Sequence, residues 1–235
     1  MDLNNLNNYQ SRSTTEIVLV LDESGSMESY RDEAINGLNN FIQRQRQALG
    51  EASITVVTFS YPSSIRLVVD AEPITTVCPF SRANYRPDGN TALFDAIAKS
   101  IIATNTRLAS LPATEQPSKV IFCIFTDGQE NSSRDFEQED VKAMITEQED
   151  KYHWDFLYLG ANQDAYKVGN RFGIKPGKAL TYSQTQDGIA AVFNATGESV
   201  ARYRSSGRPT GDQFFTEEDH RKQESLGAVS SPRGS

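Results

Sequence analysis

The sequence has few of the residues and patterns that mark several common classes of protein. Its 235 residues include only two cysteines, two histidines and one tryptophan. No run approaches the roughly 20 apolar residues that a membrane-spanning helix needs, and residues 1–13 lack the basic and apolar blocks of a signal peptide. Basic residues are outnumbered, with 23 against 31 acidic ones. These absences argue against membrane insertion and nucleic-acid binding, and they favour a cytoplasmic protein.

The cysteines and histidines form no motif for metal binding or catalysis. Cys78 and Cys123 have neither the close spacing of a zinc site nor that of a redox pair. Cys123 lies inside the apolar run at residues 120–125, which predicts a buried, reduced side chain rather than a disulfide. His153 and His220 have no motif partner nearby.

Short apolar runs alternate with amphipathic segments along most of the chain. Six apolar runs predict strands, at residues 17–21, 54–59, 65–69, 120–125, 154–159 and 179–182. Apolar steps of three and four predict helices, at residues 30–49, 93–108, 136–149, 161–170 and 189–203. The five residues between the second and third strands suit an antiparallel hairpin. We therefore predict a doubly wound three-layer α/β/α (Rossmann-like) fold, with a mostly parallel central sheet of about six strands and one antiparallel edge strand.

The chain reads as one domain with a polar segment at each end. We place the domain at residues 14–204, after a flexible segment at residues 1–13. Glycine, serine, proline and charge dominate residues 205–235, which predicts a disordered tail. Phe214 and Phe215 are the exception, as candidates for docking on the domain.

Oxygen-bearing side chains follow two of the predicted strands and precede one predicted helix. Asp22, Ser24 and Ser26 occupy alternate positions of the turn after the first strand. Thr91 comes just before the second helix, and Asp127 ends the central strand. In open α/β sheets, ligands bind at the carboxyl ends of the strands, where strand order reverses. Two carboxylates and three hydroxyls without a soft ligand are typical of a site for a hard divalent cation.

This ordered set resembles the metal ion-dependent adhesion site (MIDAS) of von Willebrand factor type A (VWA) domains. The Asp-x-Ser-x-Ser pattern of Asp22, Ser24 and Ser26, the distant Thr91 and the later Asp127-Gly pair each fall where that pattern needs them. The similarity covers residues 14–203, and the chain looks like the bacterial or phage intracellular members. The resemblance implies that these five side chains hold Mg²⁺, with Mn²⁺ or Ca²⁺ as alternatives, directly or through water.

The resemblance also implies a function, because a partner's Asp or Glu typically fills the vacant position on the metal in that family. We therefore expect a metal-dependent protein–protein interaction module with a protein partner and no nucleic acid or membrane. An alternative is an accessory subunit of an AAA+ ATPase or of a stress-response assembly. A metal-dependent phosphatase or hydrolase is a further alternative, but the sequence lacks a Walker loop, a nucleophile elbow and paired aspartates, so we expect no enzyme.

Two neighbouring segments could shape the partner's footprint. The long loop at residues 70–90 precedes Thr91, and its Phe80, Tyr85 and Arg86 are of the types that dominate binding energy. The helix after Thr91 would also direct its positive end toward an anionic ligand.

Overall fold

The computed structural model describes residues 14–62, 64–161, 164–206 and 213–228, and it has the predicted three-layer architecture. The predicted flexible segment at residues 1–13 lies outside this part of the chain. The sheet contains β1 (Thr15–Asp22), β2 (Ala52–Ser60), β3 (Ser64–Pro73), β4 (Lys119–Thr126), β5 (Asp155–Ala161) and β6 (Ala179–Tyr182). Their spatial order is β3-β2-β1-β4-β5-β6, and only β3 pairs in the antiparallel sense. The prediction of one antiparallel edge strand is confirmed.

Six α-helices flank the sheet in the described part of the chain. They are α1 (Arg31–Gln47), α2 (Leu93–Ser110), α3 (Gln138–Tyr152), α4 (Ala165–Arg171), α5 (Gln186–Ser206) and α6 (Glu217–Ser225). A short 3₁₀ helix at Gly25–Tyr30 connects β1 to α1, and another at Pro176–Lys178 precedes β6. Among the described residues, none of these helices is long and apolar enough to cross a membrane.

The central strands are apolar on both faces because helices cover both. Ile17 and Leu19 of β1 belong to the core on the side of α1 and α5, whereas Val18 belongs to the core on the side of α2 and α3. The first core is closely packed, since a Cβ atom on Gly37 of α1 would lie 2.4 Å from the Phe193 ring of α5. Larger side chains at Gly37 would therefore force these two helices apart.

The strand order explains where a ligand site can form. After β1 the chain passes through α1 to β2, which pairs with β1 on the side away from β4. After β4 it passes through α3 to β5, which pairs with β4 on the side away from β1. Because β1 and β4 are adjacent and parallel, their connections diverge at the carboxyl edge of the sheet and leave a crevice there.

The prediction of a disordered tail is wrong for residues 213–228. Phe214 and Phe215 are buried, and the Phe214 ring packs against Tyr203 of α5 with centroids 4.9 Å apart. Next comes α6, which Thr216 and Asp219 begin with a reciprocal capping box. Composition alone missed this segment because two aromatic side chains and one cap order an otherwise polar stretch.

Candidate metal centre

The fold brings the five predicted site residues to one edge of the sheet. Asp22 is the last residue of β1, and Asp127 directly follows β4. Ser24 and Ser26 lie at the start of the 3₁₀ helix, and Thr91 lies two residues before α2. Asp22, Ser24, Thr91 and Asp127 are buried, whereas Ser26 is exposed. The set therefore forms a shallow site that opens to solvent beside Ser26.

Direct contacts link Asp22, Ser24, Ser26 and Asp127. The Ser24 hydroxyl lies 3.1 Å from the Ser26 hydroxyl and donates to Asp127 Oδ1 at 3.4 Å. The Ser24 backbone N–H donates to Asp22 Oδ1 at 2.9 Å. A Cβ atom on Gly128 would lie 3.0 Å from Thr91 Oγ1, so the glycine lets Thr91 approach the loop that carries Asp127. The structure thus brings together all five residues, and their role as metal ligands stays a prediction.

Neutral donors orient the two carboxylates. The Thr126 hydroxyl donates to Asp22 Oδ2 at 2.7 Å, and Gln184 Nε2 donates to Asp127 Oδ2 at 2.6 Å. Thr126 precedes Asp127 in sequence, but Gln184 follows β6 and comes from a distant part of the chain. No motif in the sequence identifies Gln184 as a site residue.

Two buried tyrosines support the strand ends that carry the site. Tyr85 donates its hydroxyl to the backbone oxygen of Asp22 at 2.6 Å, and Tyr182 donates to that of Thr126 at 3.2 Å. Burial, followed by the negative charges of the site, raises the pKa of both phenols well above the usual range. Both therefore stay neutral donors at physiological pH.

The two carboxylates are buried together without a basic partner. Burial first, and then the negative charge of Asp127, raises the pKa of Asp22 to about 6. Burial likewise raises the pKa of Asp127. Among the described residues, no lysine, arginine or histidine forms a salt bridge with either group. A buried negative pair of this kind favours a bound cation, because a cation would offset the repulsion between the two charges.

The donor set fits a hard divalent cation. No group of three or more histidine, cysteine, aspartate or glutamate side chains occurs in the described part of the chain. This agrees with the predicted set, which has two carboxylates and three hydroxyls. Hard cations such as Mg²⁺ take oxygen ligands and keep several waters, so two carboxylates are sufficient.

Glu23, inside the Asp-x-Ser-x-Ser pattern, has a structural role that sequence reasoning missed. It is buried and forms a salt bridge with Arg66 of β3 at 2.6 Å. It also accepts a hydrogen bond from the Arg86 backbone N–H, and its own backbone oxygen accepts from the Asp88 N–H at 2.9 Å. Glu23 therefore fixes the loop that precedes Thr91 against the sheet.

The interpretation of that loop as a partner-binding wall needs correction. Phe80 and Tyr85 are both 3% exposed and belong to the core, so neither can be a contact residue for a partner. Arg86 alone of the three proposed residues is exposed. The aromatic residues attach the long connection between β3 and α2 to the core, and composition cannot distinguish this role from a binding role.

The loop after Asp127 folds back onto Thr91 and α2. The side-chain oxygen of Asn131 accepts from the Thr91 backbone N–H at 3.1 Å, and the Asn131 N–H donates to the Thr91 oxygen at 3.2 Å. The carboxylate of Glu130 accepts from the Phe94 N–H in the first turn of α2 at 3.0 Å. Glu130 thus already engages part of the helix end that we expect to favour an anionic ligand, and that expectation stays a prediction.

Comparison with known proteins points to one fold. No protein-family model and no curated protein matches the sequence. The vWF domain of the type V pili tip protein Mfa5 from Porphyromonas gingivalis matches with a TM-score of 0.58 at 12% identity, covering 85% of this chain and 99% of that one. A von Willebrand factor type A structure from Catenulispora acidiphila matches with a TM-score of 0.52 at 14% identity, covering 82% and 43%. The chain has a von Willebrand factor type A fold.

A third similar structure has a metal bound in its own MIDAS motif. It is proximal thread matrix protein 1 from the mussel byssus with a zinc-occupied MIDAS motif, with a TM-score of 0.53 at 17% identity. The match covers 81% of this chain and 46% of the mussel chain. This chain thus spans less than half the length of the mussel and Catenulispora chains.

Proposed function

We propose that this VWA domain binds a protein partner through a divalent cation, and that an Asp or Glu side chain of the partner completes the metal's shell. The observation that carries the proposal is the buried pair of Asp22 and Asp127, which has no basic partner among the described residues. Asp22, Ser24, Ser26, Thr91 and Asp127 would hold the cation, and Mg²⁺ is our choice because all five offer oxygen.

The balance of charge explains why an acidic side chain would bind. Two carboxylates offset the double charge of the cation, and the three hydroxyls add dipoles but no further negative charge. Because the set contains no third carboxylate and hydroxyls are weak neutral ligands, the cation would stay electrophilic toward one further carboxylate at its open position. Mg²⁺ retains replaceable waters, so a partner carboxylate can enter without displacing a protein ligand.

The position of the histidines supports binding rather than catalysis. His153 follows α3 at the opposite edge of the sheet, and His220 lies in α6, where it contacts Tyr166 at 3.0 Å. Neither imidazole lies at the metal centre to act as a general base. Because no basic or nucleophilic motif accompanies the two carboxylates, we propose a non-enzymatic role.

The test is partner capture by the immobilised domain with Mg²⁺ and with EDTA, using wild type, Thr91→Ala and Thr75→Ala. Only the backbone of Thr91 bonds Asn131, so Thr91→Ala should keep that contact and lose the hydroxyl at the site. We expect capture in Mg²⁺ by wild type and by the exposed control Thr75→Ala, with loss in EDTA and in Thr91→Ala. Capture that is unchanged by EDTA would contradict a metal-mediated interface.

A further inference from the structure

A groove of about 560 Å³ lies beside the metal centre. One wall is the loop after Asp127, including Gly128 and Glu130, and the other wall is α4, including Lys167 and Arg171. Gly128 connects the two sites, because it lines the groove and approaches Thr91 so closely that a Cβ atom on it would lie 3.0 Å from Thr91 Oγ1. A chain segment that reached the metal from this side would therefore cross the groove.

The acidic groups of the groove are already engaged by backbone donors. Glu130 accepts from the backbone N–H groups of Phe94, Ser132 and Ser133 at 2.6 to 3.0 Å. Asp164 caps α4 by accepting from the Lys167 backbone N–H at 3.1 Å. Both carboxylates thus stabilise helix or loop ends, which leaves little of their charge for a ligand.

The basic groups of the groove are available. The side chains of Lys167 and Arg171 are exposed, and neither forms a salt bridge with any residue that the structure describes. They are four residues apart on α4, so both point to the same side of the helix. The pair is a local concentration of positive charge in a chain whose formal net charge is −8.

The floor of the groove is apolar. It includes Phe94 and Phe172, whose rings meet edge to face with centroids 5.9 Å apart, and the buried Tyr158. An apolar floor with a basic rim fits a segment that offers an apolar side chain next to an acidic one.

We propose that this groove is the specificity site for an acidic protein segment, and the proposal rests on the proposed function. One acidic side chain of the segment binds the metal, an apolar side chain packs on Phe94 and Phe172, and a second acidic side chain pairs with Lys167 and Arg171. The metal accepts any carboxylate. The groove, in contrast, distinguishes segments that have two acidic side chains from segments that have only the one that binds the metal.

The experiment is selection of a displayed random 12-residue peptide library on the immobilised domain in Mg²⁺. Selected peptides are then synthesised and titrated against wild type, the groove variant Lys167→Glu/Arg171→Glu and the control Arg221→Glu/Lys222→Glu. The control makes the same change of charge on α6, which does not line the groove. Mg²⁺ titration of each variant checks that the metal centre is intact.

We expect selected peptides to contain two acids with an apolar residue between them. The groove variant should bind them at least about tenfold more weakly than wild type at low salt, and this difference should shrink as salt screens the charges. The control variant should bind them about as tightly as wild type. Equal binding by the groove variant, or selected peptides with a single acid, would overturn the groove proposal and leave the metal proposal intact.

Two other outcomes separate the proposals. Peptides that still bind wild type in EDTA but lose affinity for the groove variant would overturn the metal-mediated function and support the groove. A library that yields no enrichment on wild type in Mg²⁺ would contradict both.

Discussion

Buried carboxylates at the amino ends of the strands have different partners from those at the carboxyl ends. We call these two ends of the sheet the amino edge and the carboxyl edge. At the amino edge, Glu16 of β1 is 1% exposed and pairs with Arg107 at 2.7 Å. Lys178 at the same edge pairs with Glu149 at 2.7 Å and with Asp155 at 2.9 Å. At the carboxyl edge, the partners of Asp22 and Asp127 among the described residues are neutral donors and each other.

Under the proposed function, this difference distinguishes the edge that a cation would complete from the edge whose carboxylates are paired within the chain. Burial alone would lower the pKa of Lys178, but the charges of Asp155 and Glu149 and their hydrogen bonds raise it above the usual value. The buried carboxylates of the amino edge are therefore paired with cations of the chain itself. The same fold leaves Asp22 with a pKa of about 6, so its ionised form is costly until a cation arrives.

The largest expected effect on stability comes from removing the buried cation of the amino edge. Lys178→Met leaves Glu149 and Asp155 without their buried cation, and removing one partner of a buried pair costs about 3–5 kcal/mol. Denaturant unfolding measures this loss. Lys167→Met is the matched control, because Lys167 is exposed and should change the unfolding free energy by less than about 0.5 kcal/mol. A loss for Lys178→Met no larger than for the control would remove the contrast between the edges.

A smaller effect of opposite sign is expected at the carboxyl edge. Asp22→Asn keeps the side-chain shape and removes one of two repelling charges, so in EDTA near neutral pH it should raise the unfolding free energy by about 1–3 kcal/mol. Mg²⁺ should stabilise wild type and not this variant. Glu16→Gln, which breaks the Arg107 pair, should instead destabilise. If both variants moved stability in the same direction, the two edges would be equivalent.

The smallest effect is a pH dependence without metal. The folded pKa of Asp22 is about 6, above its usual 3.8, so between these values the folded state binds the proton more tightly than the unfolded state. The stability of wild type relative to Asp22→Asn should therefore fall as pH rises through this window in EDTA. Unfolding curves of both proteins across the window measure it. A relative stability that rises with pH would show that Asp22 is compensated within the fold.

Most of the fold could be predicted from the sequence because each element has a strong local signal. The apolar runs of β1 and β4 and the helical steps of α2 lie within a few residues of the observed bounds. The segment at residues 213–228 was predicted wrongly, because Phe214 and Phe215 are ordered by packing against α5 rather than by a local pattern.

The candidate site likewise has a part that the sequence predicts and a part that it does not. Its five residues follow strand ends or precede a helix, so spacing along the chain was enough to predict that they meet. The supporting contacts of Gln184 and Tyr85 depend on tertiary approach between distant segments, which has no local signature. For the same reason the aromatic residues of the loop before Thr91 were interpreted as binding residues although they belong to the core.

The central claim is that Asp22 and Asp127 are completed by a cation from outside the chain. Calorimetric titration of wild type with Mg²⁺ at about pH 6 and about pH 8 tests it most directly, because ligands must lose their protons to bind metal. We predict one Mg²⁺ per chain, with protons released near pH 6 from Asp22 and almost none near pH 8. No uptake at millimolar Mg²⁺, or equal uptake by Asp22→Asn, would contradict the account.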